Sequence, residues 1–169
     1  LAPVLPFTRE EAWLVRQPDA RSIHLRQFPE TPTGWRDDAA AEKMAKLREV
    51  RSAVTQALEE VRAAKRIGSS LEAAPVVHIF DEELRTLVES VDFAELCITS
   101  GIDLRGGPEV ELGGGKAAVI VTIEKAPGVK CARSWKYFDP ATADPRYPDI
   151  TPRDAEAVAM WDAARARRQ

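Results

Sequence analysis

The most regular pattern of hydrophobic and polar positions lies in the first half of the chain. Residues 35–66 contain no proline or glycine, and their apolar side chains recur at intervals of three and four residues, which is the period of an amphipathic helix. We therefore predict one long helix that ends with Lys65 and Arg66 in its last turn and Gly68 just beyond it. The apolar positions are Met44, Leu47, Val50 or Arg51, Val54, Leu58 and Val61.

The segment ahead of the long helix has a weaker pattern. Thr8 stands three residues before Glu11, an arrangement that predicts a capping box and a short helix beginning at Thr8. Residues 16–34 are rich in proline, aspartate and threonine, and the alternation at residues 22–25 allows one short extended piece. We expect residues 1–34 to contain a short helix followed by a linker.

After the long helix the pattern changes to short strands mixed with helices. Residues 74–80 read as a strand, Asp81 is a suitable helix N-cap, and apolar residues over 84–91 share one helical face. Further strands are predicted at residues 96–98, 110–112 and 118–123, with the glycine-containing turns 106–108 and 113–115 between them. The triple glycine is not followed by Lys-Ser/Thr and does not open a helix, so a turn explains it better than a phosphate loop.

Charge and cysteine content narrow the functional classes. The net charge is -3, but residues 1–68, 69–115 and 116–169 carry +2, -8 and +3, so the middle should repel phosphate and the tail could accept it. No apolar run is long enough to cross a bilayer and no leader opens the chain. The two cysteines have no disulfide-framework spacing. These features predict a cytoplasmic protein, and an opening Leu instead of Met suggests that the chain comes from a larger one.

Four stretches, in order along the chain, resemble isoleucyl-tRNA synthetases of the bacterial type. The first (LAPVLPFTREEAW) is similar to the end of the family's helical anticodon-binding bundle, and the second is the long helix running into KRIGSSLEA. The third (GVKCARSW) and the fourth (YPDITPRD) are similar to the two halves of the family's terminal zinc knuckle. The resemblance implies an α+β chain in four parts: the end of a helical bundle and a linker (1–34), the long helix (35–68), a small α+β unit (69–126), and a degenerate zinc-knuckle module with a C-terminal helix (127–169).

The resemblance also implies where a metal would sit. In the family each half of the knuckle supplies two cysteines to a structural zinc site, but the corresponding positions here hold Cys131, Ser134, Thr151 and Asp154. Hydroxyl groups are poor zinc donors, so we predict no zinc. A residual site formed by Cys131, Asp154 and a histidine is the alternative. Thr151 followed by proline and an acidic residue instead predicts the capped start of a helix over 152–168.

The same resemblance implies the residues that bind tRNA. The aromatic residue after the first ligand pair, here Trp135, would stack on an anticodon base, and nearby cations would hold the adjacent phosphates. The alternative is that Trp135 belongs to an enlarged core of the metal-free module, packed with Val158 and Trp161. The cations expected at the site are Lys130, Arg133, Lys136 and Arg153.

The implied role is recognition and positioning of the anticodon side of isoleucine tRNA, within an enzyme that uses ATP and magnesium elsewhere in its chain. The signature motifs of amino-acid activation do not occur here, and neither His24 nor His78 has a triad-like partner, so the chain alone should be inactive. Its expected partners are isoleucine tRNA and the other domains of the same synthetase, with no membrane and no DNA. Two alternatives remain open: a structural brace that packs on the rest of the synthetase without touching tRNA, and an independent RNA-binding or protein-interaction protein.

Overall fold

The computed structural model of the chain describes residues 1–107, 110–112 and 115–167. They form two compact units, Leu1–Asp38 and Ala39–Gln169. Helices and small sheets both occur, so the predicted α+β class is confirmed. No helix in the described part of the chain combines the length and the apolar composition that a membrane crossing requires.

The first unit contains helix α1 (Pro6–Arg16) and two 3-10 turns, Ile23–Leu25 and Thr33–Trp35. The predicted capping box at Thr8 is wrong: the helix starts earlier, with Pro6 at its N-terminus, because proline needs no hydrogen-bond acceptor there. The Glu10 carboxylate instead accepts hydrogen bonds from the Ser22 hydroxyl and the Ile23 N–H, both at 2.9 Å. This contact makes residues 22–25 a turn and not the extended piece that the alternation suggested.

The long helix of the second unit is α2 (Asp38–Ala63), and its predicted apolar face is confirmed from Leu47 to Val61, whereas Met44, also predicted on this face, is 41% exposed. The apolar spacing left either Val50 or Arg51 on this face. Val50 is the buried one, while the guanidinium of Arg51 donates a hydrogen bond to the backbone oxygen of Leu96 at 2.6 Å. The helix therefore buries its stripe against the rest of the unit and leaves its charged face exposed. The buried residues of α2 are Leu47, Val50, Val54, Leu58 and Val61.

The C-terminal end of α2 differs from the prediction. Lys65, and not Gly68, adopts the left-handed conformation that ends the helix, with φ 55°. The N–H of Lys65 bonds to the oxygen of Arg62 at 2.9 Å and that of Arg66 to the oxygen of Val61 at 3.1 Å, which is the Schellman pattern. A side chain with a Cβ is thus held at a position that favours glycine.

Replacing Lys65 by glycine should therefore stabilise the chain. Relief of the left-handed strain exceeds the added entropy of the unfolded state, and the expected gain is about 0.5–1 kcal/mol in the free energy of unfolding. Urea denaturation monitored by circular dichroism measures this change. The matched control is Ala64→Gly one residue earlier, where the backbone is still helical and glycine should destabilise. A loss of stability in Lys65→Gly would contradict the assignment of the helix end.

A three-stranded sheet packs beside α2. Its central strand β1 (Ala73–Ile79) pairs in parallel with β2 (Asp103–Arg105) and in antiparallel fashion with β5 (Val119–Lys125). Between β1 and β2 lies α3 (Glu82–Glu89), whose predicted cap is confirmed: the Asp81 carboxylate accepts from the N–H of Leu84 at 2.7 Å. Apolar residues of α2, β1 and α3 share one core.

The strand predicted at residues 96–98 is wrong. These residues belong to or follow the short helix α4 (Phe93–Cys97), which Asp92 caps by accepting from the N–H of Glu95 at 3.0 Å. Phe93 and Cys97, one helical turn apart, are both buried in the core, so a helix satisfies this apolar run better than a strand. Strand β3 (Val110–Leu112) pairs in antiparallel fashion with β4 (Gly115–Ala117). The predicted glycine-containing turns 106–108 and 113–115 each include positions outside the described residues.

The last part of the second unit, called the terminal module below (residues 127–167), has its own small core. Strands β6 (Val129–Lys130) and β7 (Tyr137–Phe138) pair, and helix α5 (Pro152–Ala166) follows. Gly128 has φ 93°, and a Cβ there would lie 2.1 Å from the Phe138 oxygen, so the hairpin requires glycine. The predicted helix end at Arg168 lies outside the described residues. The core consists of Cys131, Ile150 and Ala155, with Phe138, Tyr147 and Val158 partly buried around it.

Candidate functional site

A tight loop at the start of the terminal module carries the aromatic residue of the predicted site. The N–H of Cys131 donates to the Lys136 oxygen at 2.8 Å, and the N–H of Trp135 donates back to the Cys131 oxygen at 3.1 Å. The N–H of Ser134 points at the Cys131 sulfur at 3.3 Å. These three contacts close residues 131–136 into a loop whose shape depends on the cysteine position.

Trp135 is displayed on this loop and is not part of the core. Its side chain is 61% exposed and its φ is 63°, a left-handed conformation that costs a non-glycine residue about 1–2 kcal/mol. The ammonium group of Lys130 lies 5.4 Å from the ring centroid, within cation–π range. The alternative of a core tryptophan is therefore contradicted, and Trp161, at 60% exposure, does not pack in the core either. Strain retained at an exposed aromatic residue is a feature of binding sites.

The four positions that correspond to the zinc ligands do come together, but as a hydrogen-bond cluster. One carboxylate oxygen of Asp154, Oδ2, accepts from the Ser134 hydroxyl at 2.6 Å, from the Thr151 hydroxyl at 2.7 Å and from the Cys131 thiol at 3.3 Å. Thr151 in turn accepts from the N–H of Asp154 at 3.1 Å, which confirms the predicted helix cap. We call these four residues the Asp154 cluster.

The donor set of the Asp154 cluster does not fit a structural zinc ion. Zinc requires deprotonated sulfur, nitrogen or carboxylate ligands, whereas two of these four groups are neutral hydroxyls that already donate to the carboxylate. Among the described residues there is also no group of three or more histidine, cysteine or acidic side chains placed to hold a metal. The other cysteine, Cys97, lies in the core shared by α2, β1 and α3. Burial there raises the pKa of its thiol to about 11 despite the nearby Arg51.

The electrostatics of the cluster favour an ionised carboxylate. Partial burial opposes ionisation of Asp154, but the hydrogen bonds from Ser134, Thr151 and Cys131 and the charge of Arg133 together lower its pKa below the ordinary value. The Nε of Arg133 lies 3.5 Å from the second carboxylate oxygen. Arg133, which belongs to the same loop as Trp135, therefore pairs with the carboxylate of the cluster.

The other two predicted cations meet at a residue that the sequence did not single out. The Lys136 ammonium and the Arg153 guanidinium both contact the same oxygen of Glu95, Oε1, at 2.7 Å and 2.8 Å. The hydrogen bond and charge of Lys136, with those of Arg153, lower the pKa of Glu95. Glu95 lies on α4 in the acidic middle of the chain, so sequence separation hid this pairing. Of the predicted cations, Lys130 alone is seen at the Trp135 ring.

A second contact also attaches the terminal module to the sheet. The Ser100 hydroxyl accepts from the N–H of Tyr137 at 2.7 Å and donates to the backbone oxygen of Leu71. Ser100, Glu95 and Asp92 line one groove together with residues of the terminal module. The exposed loop of Trp135 is thus tied to the rest of the second unit through Ser100 and Glu95.

Comparison with known proteins relates the chain to tRNA ligases. A family model described as the anticodon-binding domain of tRNA ligase matches residues 1–78. The chain is 55% identical to the isoleucine-tRNA ligase of Agrobacterium fabrum over 161 residues and to that of Brucella abortus over 162 residues, and 49% identical to that of Bartonella henselae. Each match covers 94% of this chain and 17% of the relative.

The chain thus spans about a sixth of the length of the curated relatives it matches. The family model ends within β1, so the exposed tryptophan loop, the Asp154 cluster and Glu95 all lie beyond it. The matches to whole relatives, in contrast, extend over nearly all of the chain. By sequence, this chain is similar over nearly its whole length to the C-terminal part of bacterial isoleucine-tRNA ligases, and its first 78 residues match an anticodon-binding domain model.

Proposed function

We propose that this chain recognises the anticodon side of isoleucine tRNA and positions that tRNA for aminoacylation by the rest of the ligase. The observation that carries the proposal is Trp135, an exposed aromatic ring held in a strained conformation on a closed loop, with a lysine at its face. A base stacked on such a ring contributes about 1–3 kcal/mol, and the unpaired bases of an anticodon loop are available for stacking.

The charges around Trp135 suit a polyanion with an exposed base. Lys130 lies against the ring, and Arg133, on the same loop, is about half exposed. Lys136 and Arg153 complete the set of proposed phosphate contacts on the same module. Phosphate contacts would supply affinity and register, whereas stacking and base-edge contacts would supply sequence preference.

In the complete ligase we propose that other domains bind ATP and magnesium and carry out the chemistry in the cytoplasm. The partners of the chain would then be isoleucine tRNA and the remaining domains of the same protein.

A second candidate function is a structural brace. The observation that favours it is the pairing of Lys136 and Arg153 with Glu95, which neutralises part of the basic surface and fastens the terminal module to the acidic middle of the chain. As a brace, the chain would fold normally but have no measurable affinity for tRNA.

A fluorescence-anisotropy titration of the chain separates the two functions. The RNAs are isoleucine tRNA and the same tRNA with an altered anticodon, each at two salt concentrations. The recognition module should bind the native anticodon more tightly at both, with affinity that falls as salt rises because phosphate contacts release counterions. Weak binding that is equal for both RNAs and disappears at the higher salt concentration would contradict anticodon recognition and favour the structural brace.

A further inference from the structure

We propose that Lys136 and Arg153 form a binding site for a phosphodiester of RNA, and that Glu95 is a built-in competitor which the phosphate must displace. The inference rests on the proposed tRNA-binding function and adds a residue to it that lowers non-specific affinity. Its basis is the geometry at Glu95 Oε1, where two cations from different parts of the terminal module converge within 2.8 Å. A carboxylate in that position occupies the place that a phosphate oxygen would take.

Glu95 is held in place from its backbone side. Asp92 caps α4 through the N–H of Glu95 itself, and Arg51 of α2 donates to the next backbone oxygen, that of Leu96. Lys136 and Arg153, in contrast, are long side chains on surface elements, and Arg153 is 82% exposed. The cations can therefore turn toward an incoming phosphate while Glu95 stays behind on its helix.

The exchange is energetically accessible. The Arg153 side chain is 82% exposed and that of Lys136 is 26% exposed. An ion pair as exposed as that of Arg153 contributes little to stability, so breaking it costs less than a charge-assisted contact to phosphate returns. The other carboxylates that line the same groove are already engaged: Asp92 caps α4 and Asp154 accepts the bonds of its own cluster. Glu95 is thus the acid of this groove that faces the two cations directly.

The consequence is a dependence on correct seating of the RNA. A passing phosphate meets two cations whose combined charge of +2 is reduced to +1 by Glu95, so generic attraction is weakened. RNA stacked on Trp135 holds its phosphates near the groove at a high effective concentration, and these phosphates can compete with the tethered carboxylate. Glu95 therefore increases the difference between cognate and non-cognate RNA.

The test is Glu95→Gln, which keeps the length of the side chain and removes its charge. Anisotropy titrations with isoleucine tRNA and with the altered-anticodon tRNA should show affinity for the altered tRNA rising roughly tenfold at about 0.1 M salt, because two phosphate contacts become available. The affinity for native tRNA should rise less, and the slope of log K against log salt should steepen by about 1–2. Circular dichroism melting checks that the variant is folded.

Glu89→Gln is the matched control, because Glu89 also forms an exposed ion pair, with Arg85 on α3 at 3.1 Å. Equal gains in the two variants would overturn the inference, since they would reflect net charge alone. The triple variant Glu95→Gln, Lys136→Gln, Arg153→Gln should lose the gain, and a persistent gain would also overturn it. If Glu95→Gln does not fold, the double variant Lys136→Gln, Arg153→Gln replaces it in the test. This variant should weaken the binding of native tRNA more than the binding of altered tRNA. Equal losses of affinity would overturn the inference.

Failure of the inference is distinguishable from failure of the proposed function. If the unmodified chain prefers the native anticodon and Glu95→Gln changes neither affinity, Glu95 is not a competitor, but the proposed recognition function stands. Binding that appears in Glu95→Gln but not in the unmodified chain would show that native tRNA does not displace Glu95, and would overturn the inference. Absence of RNA binding in both proteins would overturn the inference together with the proposed function.

Discussion

Replacing Asp154 by alanine is expected to lower the free energy of unfolding of the terminal module by about 2–4 kcal/mol. The change removes the common acceptor of the Ser134, Thr151 and Cys131 side chains, of which Cys131 is buried and the other two are partly buried. A buried donor left without a partner costs about 1–3 kcal/mol, and a partly buried one costs less. Hydrogen exchange of the amides in residues 127–167 measures the local effect, and urea denaturation measures the total.

Two further variants define what the carboxylate does. Asp154→Asn keeps the shape of the side chain but replaces the carboxylate with an amide, which offers one acceptor oxygen to the hydroxyl donors. Its loss in free energy of unfolding should be smaller than that of Asp154→Ala. Asp149→Asn, an exposed acid of the same module, should change stability by less than about 0.5 kcal/mol. Normal exchange protection of the module in Asp154→Ala would refute the view that this cluster holds it together.

The sign of the pH effect follows from the lowered pKa of Asp154. A carboxylate whose pKa is depressed by folding stabilises the native state above its ordinary pKa of about 3.9, and this contribution is lost as pH falls below that value through the folded pKa. The acid-dependent part of the stability should shrink in Asp154→Asn. An unchanged pH profile in that variant would assign the acid sensitivity to other groups, such as Glu95.

Replacing Trp135 by alanine is expected to reduce the preference for the native anticodon about 10- to 100-fold, with a smaller change in affinity for the altered tRNA. The stacked base loses its platform, worth about 1–3 kcal/mol, whereas the phosphate contacts remain and bind every sequence alike. Competition titrations with native and altered isoleucine tRNA measure the ratio directly.

Trp161→Ala provides a closely matched control. Trp161 has the same exposure as Trp135 and also has a cation over its ring, Arg165 at 5.3 Å, but it lies on α5 and not on the closed loop. Its removal should leave the anticodon preference unchanged. Equal losses of all tRNAs in Trp135→Ala, or equal effects of the two alanine variants, would count against stacking at Trp135 and in favour of general surface contacts.

Local patterns predicted the elements that depend on neighbouring residues. The buried face of α2 follows from apolar spacing, and the caps at Asp81 and Thr151 follow from residues at most three positions away. The prediction failed at residues 96–98 because a three-residue apolar run fits a buried helix turn as well as a strand. It also failed at Lys65, because only the backbone reveals which residue takes the left-handed conformation.

The candidate site was predictable only in part, because several of its contacts join residues that are far apart in the sequence. The resemblance identified Trp135 and the four positions of the Asp154 cluster, but not that Asp154 would accept three hydrogen bonds at one oxygen. Glu95 meets its two cations across 41 and 58 residues of chain, and no local pattern reports such a contact. Its place in an acidic segment suggested repulsion of phosphate, whereas the structure makes it a direct partner of the cations.

The Asp154 cluster also changes what the integrity of the terminal module depends on in a cell. A knuckle closed by four thiolates folds only as far as zinc is supplied, and chelators or oxidants open it. Here the two halves of the knuckle are joined by the hydrogen bonds that Ser134 and Cys131 donate to Asp154, 20 and 23 residues further along the chain. The terminal module should therefore fold in cells that are starved of zinc, because its folding does not depend on metal binding.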